Sequence, residues 1–174
     1  MKALTLCLVL ILSSTVLAEE APPSQNRLAF SGGAGDLDFY VLGISLQRDF
    51  SRSWFVGKTG RLTGYHDLSL LGWIGDEEDV LALSCTPVFV YRFNGKNVEP
   101  YVLLGVGISY QTETEFLGRN MSTHFQFHDR VGLGIRFAGG AHDLSVQAMH
   151  YSNAGIESPN PGMDMFVVSY SFRF

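Results

Sequence analysis

Apolar and polar residues alternate with a period of two over most of this chain, most clearly in the segment 163–174. There, every second residue from Phe166 to Phe174 is large and apolar, whereas the intervening residues are mostly small or polar. Successive side chains of a β-strand point to opposite faces, so this pattern predicts strands with one apolar face. Eight such segments are predicted, at 27–35, 38–49, 53–67, 79–93, 98–111, 123–138, 141–152 and 163–174.

Both a soluble lipid-carrying barrel and an outer-membrane barrel show this alternation, with the apolar face inside in the first and outside in the second. Two features favour the outer-membrane form. The chain ends on an aromatic residue, Phe174, which resembles the C-terminal assembly signal of outer-membrane proteins. The polar face also carries arginines that suit a polar lumen, namely Arg92, Arg130, Arg136 and Arg173. We therefore predict an all-β fold, an eight-stranded antiparallel transmembrane β-barrel of the outer membrane.

Residues 1–18 have the pattern of a secretory signal peptide, with a positive start at Lys2, an apolar core and a small-residue cleavage site at 16–18. We expect cleavage to leave a single barrel domain, 19–174. Loss of Lys2 would change the formal charge from −5 to −6, which argues against nucleic acid as a partner. Only Cys85 would remain, so no internal disulfide can form.

The predicted connections differ in length in a way that orients the barrel. The links at 49–53, Asn94–Gly95 and Gly139–Gly140 are short, and the last two accept the positive φ of tight hairpins. The stretches 68–79, 112–122 and 153–162 are longer or polar. Bacterial barrels have short periplasmic turns and longer outer loops. We therefore expect both termini on the periplasmic side and the loop 153–162 outside the cell.

A base and a hydroxyl, His150 and Ser152, precede this outer loop and share the face of the apolar residue Val146. Asp164, on the next strand, has the parity of Phe166 and should also face outward. Polar side chains on an apolar exterior are costly, and a lipid substrate would explain them. In this interpretation Asp164 orients His150, and His150 takes the proton of Ser152 as Ser152 attacks an acyl carbonyl.

The residues leave several alternatives open. A two-residue turn at Gly139–Gly140 would place Asp129 opposite His150, so Asp129 competes with Asp164 as the orienting acid, and Glu157 is a third option. The Asn153 amide and the backbone N–H groups near Ala154 and Gly155 are candidate oxyanion donors. The His-Ser pair could also be incidental to a small structural or adhesive barrel.

Other polar and aromatic groups carry less information. His124 and His128 would lie about 13 Å apart on a strand, too far to share an ion, so we predict no metal site. We predict no other cofactor. Asp76–Asp79 is interpreted as a solvated outer loop and Cys85 as lipid-facing. Four aromatic residues are interpreted as interfacial belt residues: Tyr40, Trp54, Tyr65 and Trp73.

At these residues the chain resembles the lipid A 3-O-deacylase family, commonly called PagL, of Gram-negative outer membranes. The resemblance covers most of the predicted mature chain. It is strongest at 60–65, 87–91, 127–132 and 150–155, the last followed by Pro159–Asn160. The resemblance implies an eight-stranded barrel and a serine esterase that hydrolyses the ester-linked acyl chain at position 3 of lipid A. The implied partner is lipopolysaccharide in the outer leaflet.

The resemblance also implies roles for single residues. His150 would be the base, Ser152 the nucleophile, and Asn153 and Asn160 would support the oxyanion site. Phe127 and Asp129 match family positions that line the substrate site. Asp164 matches a position where the family typically has Glu, which shortens the acid by one methylene. Acyl transfer to a second lipid is an alternative reaction, and the sequence leaves open whether the barrel is a monomer or a homodimer.

Overall fold

The computed structural model describes residues 19–20 and 25–174. Eight antiparallel strands within 26–173 form a closed barrel, and Glu19–Glu20 pairs with Arg52–Ser53 in a separate two-stranded sheet. The strands are β1 (Asn26–Gly35), β2 (Tyr40–Asp49), β3 (Gly60–Ile74), β4 (Asp79–Phe93), β5 (Val98–Gln111), β6 (Phe125–Phe137), β7 (His142–Ser152) and β8 (Met163–Arg173). Each strand pairs with its neighbours in sequence, and β8 pairs with β1 to close the sheet. The predicted architecture is confirmed. The predicted signal peptide, 1–18, lies outside the described residues.

The two faces of the strands differ in polarity as the alternation predicts. Exposed leucine, valine, isoleucine and phenylalanine side chains cover the outside, whereas Arg92, Arg130 and Arg136 are buried inside. This is the arrangement of a membrane-spanning barrel, apolar toward lipid and polar within. In the described part of the chain, no helix is long and apolar enough to cross a membrane.

The third strand differs from its prediction. It runs from Gly60 to Ile74 rather than over 53–67. The connection predicted to be short, 49–53, is therefore ten residues long, 50–59, and the one predicted to be long, 68–79, has only four residues, 75–78. Trp73 and Tyr65 are both buried inside the barrel, so their assignment to the interfacial belt was wrong. The inward residues at the end of this strand are apolar, so the polarity contrast that marks a strand face disappears there.

Those inward residues belong to an apolar cluster that fills one end of the lumen. This end, called the outer end, carries the loops 36–39, 75–78, 112–124 and 153–162. The cluster contains the fully buried side chains Phe39, Trp73, Phe116, Met121, Tyr151 and Met163. Phe116 comes from a short hairpin in the loop 112–124, in which Glu115–Phe116 pairs with Arg119–Asn120. Burial of Phe116 therefore holds this loop over the outer end.

Polar side chains fill the middle of the lumen. Arg130 donates to Asp67 at 3.1 Å with both side chains buried, and Gln47 donates to the other Asp67 oxygen at 3.0 Å. His128 lies beside them, with Nδ1 3.1 Å from the Thr86 hydroxyl. A buried charge is tolerated only when it is paired and hydrogen-bonded, and Arg130 and Asp67 satisfy that condition for each other.

Candidate active site

His150 lies on the outer surface of β7, directly between carboxylates on the two neighbouring strands. The pairing register places Asp164 of β8 opposite it on one side and Asp129 of β6 on the other. The register predicted from the Gly139–Gly140 turn, which puts Asp129 opposite His150, is therefore confirmed. All three side chains line one surface groove of about 530 Å³.

Only one of the two carboxylates bonds to the imidazole among the described residues. His150 Nδ1 lies 2.6 Å from Asp164 Oδ1, a distance typical of a short, strong hydrogen bond. The side chains of His150 and Asp164 are 42% and 60% exposed, so the pair is open to the surroundings of the barrel. A carboxylate on Nδ1 leaves Nε2 free to accept a proton, which is the arrangement a general base needs.

Tyr151 fixes the outward orientation of its two neighbours. Its side chain is fully buried, stacks on the His128 ring at 4.4 Å and meets the Trp73 ring edge-on at 5.0 Å. Because successive residues of a strand face opposite ways, this inward anchor places His150 and Ser152 on the outside. A one-residue slip in the register of β7 would expose the tyrosine and bury the imidazole.

Ser152 is the last residue of β7, partly buried, and is paired with Phe127 of β6. It lies on the same face as His150, two residues along the strand. Within the described residues no hydrogen bond joins its hydroxyl to the imidazole. Catalytic hydrogen bonds are often long without substrate and tighten when it binds, so the separation is compatible with a nucleophile–base pair.

Asn153 organises the loop that follows the serine. It is fully buried, and its Nδ2 group donates to the carbonyl oxygens of Met121 and Glu157, each at 3.0 Å. Its Oδ1 accepts the N–H of Gly155 at 2.9 Å. The amide of Asn153 and the N–H of Gly155, both predicted as oxyanion donors, are thus engaged within the loop.

Asn160 closes the loop by accepting the backbone N–H of Asn153 on Oδ1 at 3.0 Å. Its Nδ2 group and the backbone N–H of Ala154 have no hydrogen-bond partner among the described residues. Ala154 lies two residues after Ser152, and Asn160 is bonded to the backbone of Asn153, the residue that follows Ser152. These two donors are therefore candidates to bind a developing negative charge.

The groove continues from His150 toward the middle of the membrane-facing surface. Its apolar part contains Leu104, Val106, Val131 and Ala148. In the register, the small side chain of Ala148 stands between Val131 and Phe166, so the surface is depressed there. An extended hydrocarbon chain would find apolar contacts in this depression.

Sequence reasoning missed two residues that contact this site, Gly162 and Arg119. Gly162 lies against the His150 ring, and Arg119 donates to the Gly162 carbonyl oxygen. Pro161–Gly162 indicates a turn at the sequence level, but nothing in that pattern shows which side chain the glycine contacts.

Comparison with known proteins gives a consistent result. Residues 40–173 match the family model described as lipid A 3-O-deacylase (PagL). The lipid A deacylase PagL of Pseudomonas aeruginosa is 35% identical over 171 residues, covering 97% of this chain and 96% of that protein. The protein of the same name from Bordetella bronchiseptica is 27% identical over 173 residues, covering 95% and 93%.

Comparison with solved structures gives the same result as the sequence comparison. The crystal structure of the outer membrane enzyme PagL superposes with a TM-score of 0.81 and 34% identity, over 85% of this chain and 99% of that one. Neisserial surface protein A superposes with a TM-score of 0.51 at 14% identity, over 87% and 96%. The second match shows the barrel fold alone.

Proposed function

The chain belongs to the lipid A 3-O-deacylase family of outer-membrane enzymes, and we propose that it hydrolyses the 3-O-linked acyl ester of lipid A with a triad of Ser152, His150 and Asp164. The observation that carries this proposal is the 2.6 Å contact between His150 and Asp164 on the apolar outside of the barrel. A base held by a carboxylate beside a serine supports acyl transfer. The His150–Asp164 pair lies beside the outer loops, so an outer-leaflet lipid is the substrate that can reach it.

The proposed reaction has two halves. His150 Nε2 takes the proton of Ser152 as the serine oxygen attacks the ester carbonyl. The tetrahedral intermediate collapses, His150 gives the proton to the sugar 3-oxygen, and an acyl-enzyme forms on Ser152. Water then attacks the acyl carbon with His150 again as base, which releases the fatty acid and restores the serine.

We assign the oxyanion to Asn160 Nδ2 and the Ala154 N–H, with Asn153 and Gly155 as the bonded frame that holds them. Removal of one oxyanion donor typically costs about 10²- to 10³-fold in kcat. Asn160→Ala should therefore lower kcat strongly while the barrel stays folded.

Asp129 and Phe127 complete the proposed substrate site. Asp129 lies opposite His150 across the strands and lines the same groove, so in this proposal it shapes the pocket for the lipid head group. Phe127 pairs with Ser152 across the strands and packs edge-on against Phe125 at 5.3 Å, which gives the acyl chain an apolar wall beside the nucleophile.

The test compares lipid A from cells that express the wild type with lipid A from cells that express Ser152→Ala. Mass spectrometry should show the loss of one hydroxyacyl chain with the wild type only, while both proteins remain heat-modifiable barrels. An added chain would instead identify an acyltransferase, and unchanged lipid A at good expression would refute the proposal and favour a structural or adhesive barrel. A homodimer finds no support in the described residues or in the similar proteins.

A further inference from the structure

Gly162, the residue that precedes β8, lies against the edge of the His150 imidazole. A Cβ atom built on Gly162 would stand 2.5 Å from Cε1 of the ring and 3.2 Å from Nε2. Real side-chain atoms do not approach as closely as the first distance, so any larger residue would push the ring away. Gly162 also has a φ of +74°, a left-handed conformation that glycine adopts without strain.

Arg119 holds the backbone of Gly162 in place. Its Nη1 group donates to the Gly162 carbonyl oxygen at 2.9 Å and to Asp36 Oδ2 at 2.8 Å. The backbone N–H of Asp36 in turn donates to the carbonyl oxygen of Asp164 at 3.0 Å. Two outer loops, 36–39 and 112–124, are thereby tied to the short segment 162–164, which contains Gly162 and Asp164.

Arg119 has no substitute nearby. It is the only lysine or arginine in the four outer loops, which otherwise carry several carboxylates. A change at Arg119 therefore leaves Asp36 without a cation and Gly162 without its side-chain donor, and no neighbouring loop residue of the same charge can replace them.

We propose that Gly162 and Arg119 are positioning residues for the base, and this inference rests on the proposed role of His150. Asp164 holds the imidazole at Nδ1, and Gly162 limits its movement along the Cε1–Nε2 edge. A half-exposed histidine held at one nitrogen alone can still rotate away from Ser152. The second contact restricts that rotation and keeps Nε2 available to the serine hydroxyl.

The decisive comparison is Gly162→Ala against Gly118→Ala. Both glycines have a φ of +74°, but a Cβ on Gly118 would meet no atom within 4 Å. The two variants therefore share the same backbone strain and differ in the contact with the imidazole. Because a misplacement of about 1 Å can cost 10²-fold, we expect Gly162→Ala to lower kcat about 100-fold with KM within twofold. Gly118→Ala should stay within twofold of wild type in both.

A measurement that does not depend on turnover separates this inference from the proposed function. The Cε1–H signal of His150 in NMR spectra of the detergent-solubilised protein, assigned with His150→Gln, should shift in Gly162→Ala and stay in place in Gly118→Ala. If the wild-type protein leaves lipid A intact but the His150 signal still shifts in Gly162→Ala, the proposed function is refuted and the positioning role is retained. Equal spectra and equal kcat for the two variants would overturn the positioning role itself.

Arg119→Gln tests the anchor, with Glu115→Gln on the same hairpin as the exposed control. We expect Arg119→Gln to lower kcat about tenfold at unchanged KM, the size expected for loss of a charge-assisted hydrogen bond. Arg119→Lys retains the charge facing Asp36 and should recover part of the loss. A fall in kcat that Arg119→Lys does not recover, or one matched by Glu115→Gln, would contradict the anchoring role.

Discussion

Substitution of the two aspartates beside His150 separates their roles most sharply. Both lie in register with the histidine, on opposite sides, but only Asp164 bonds to the imidazole among the described residues. Asp164→Asn keeps the size of the side chain and removes its charge. It should therefore lose the stabilisation of the imidazolium that forms when Ser152 gives up its proton.

The expected loss follows from the geometry and exposure of the pair. A hydrogen bond to a charged group contributes about 1.5–3 kcal/mol, which corresponds to about 10- to 150-fold in kcat. In a buried serine-protease triad the same substitution costs about 10⁴-fold. Here the Asp164 side chain lies on the barrel surface, 60% exposed rather than enclosed by protein, so we expect the 10- to 150-fold range. Asp129→Asn removes a charge without a bond and should cost about fivefold or less.

The assay is fatty-acid release from purified lipopolysaccharide in mixed micelles, with kcat and KM measured for each variant. Asp164→Glu is the conservative control, because the longer carboxylate can still reach Nδ1 by bending, and it should stay within about tenfold of wild type. A larger loss in Asp129→Asn than in Asp164→Asn would refute the assignment of the acid. Equal and small losses in both would refute an acid-assisted base altogether.

Three further predictions test other parts of the structure. Ala148→Phe should fill the groove beside His150 and lower kcat/KM for long acyl chains more than for short ones. Synthetic esters of graded acyl length measure this difference. An equal effect on all lengths would place the acyl chain elsewhere. Asn153→Ala leaves the carbonyl oxygens of Met121 and Glu157 without the Asn153 donor. The loop 153–162 should then show faster amide hydrogen exchange and faster proteolysis, while the barrel keeps its heat modifiability. Unchanged exchange would contradict the role of Asn153 as the centre of the loop. Arg130→Met breaks the buried pair with Asp67 and should destabilise the barrel by about 3–5 kcal/mol in urea unfolding. The double variant Arg130→Met with Asp67→Leu should recover most of that loss. If it does not, packing rather than the uncompensated charge sets the loss.

The strand alternation was sufficient to predict most of the barrel because lipid and lumen impose opposite polarity on the two strand faces. It failed at the third strand, where Leu71 and Trp73 face inward among other apolar side chains. At that end, burial inside the barrel and burial in lipid select the same residue types. Tyr65 was misplaced for the same reason, since it packs in a second apolar cluster of the lumen with Val88 and Tyr101.

The sequence by itself determined the face and the strand of His150, Ser152 and Asp164, because parity along a strand and the register of a tight turn are local properties. Only the tertiary structure decided which acid bonds to the base and which donors the loop leaves free. It also brought Gly162 and Arg119 to the imidazole. These contacts join loops that are far apart in the chain, and their geometry depends on how the apolar cluster at the outer end packs the loops together.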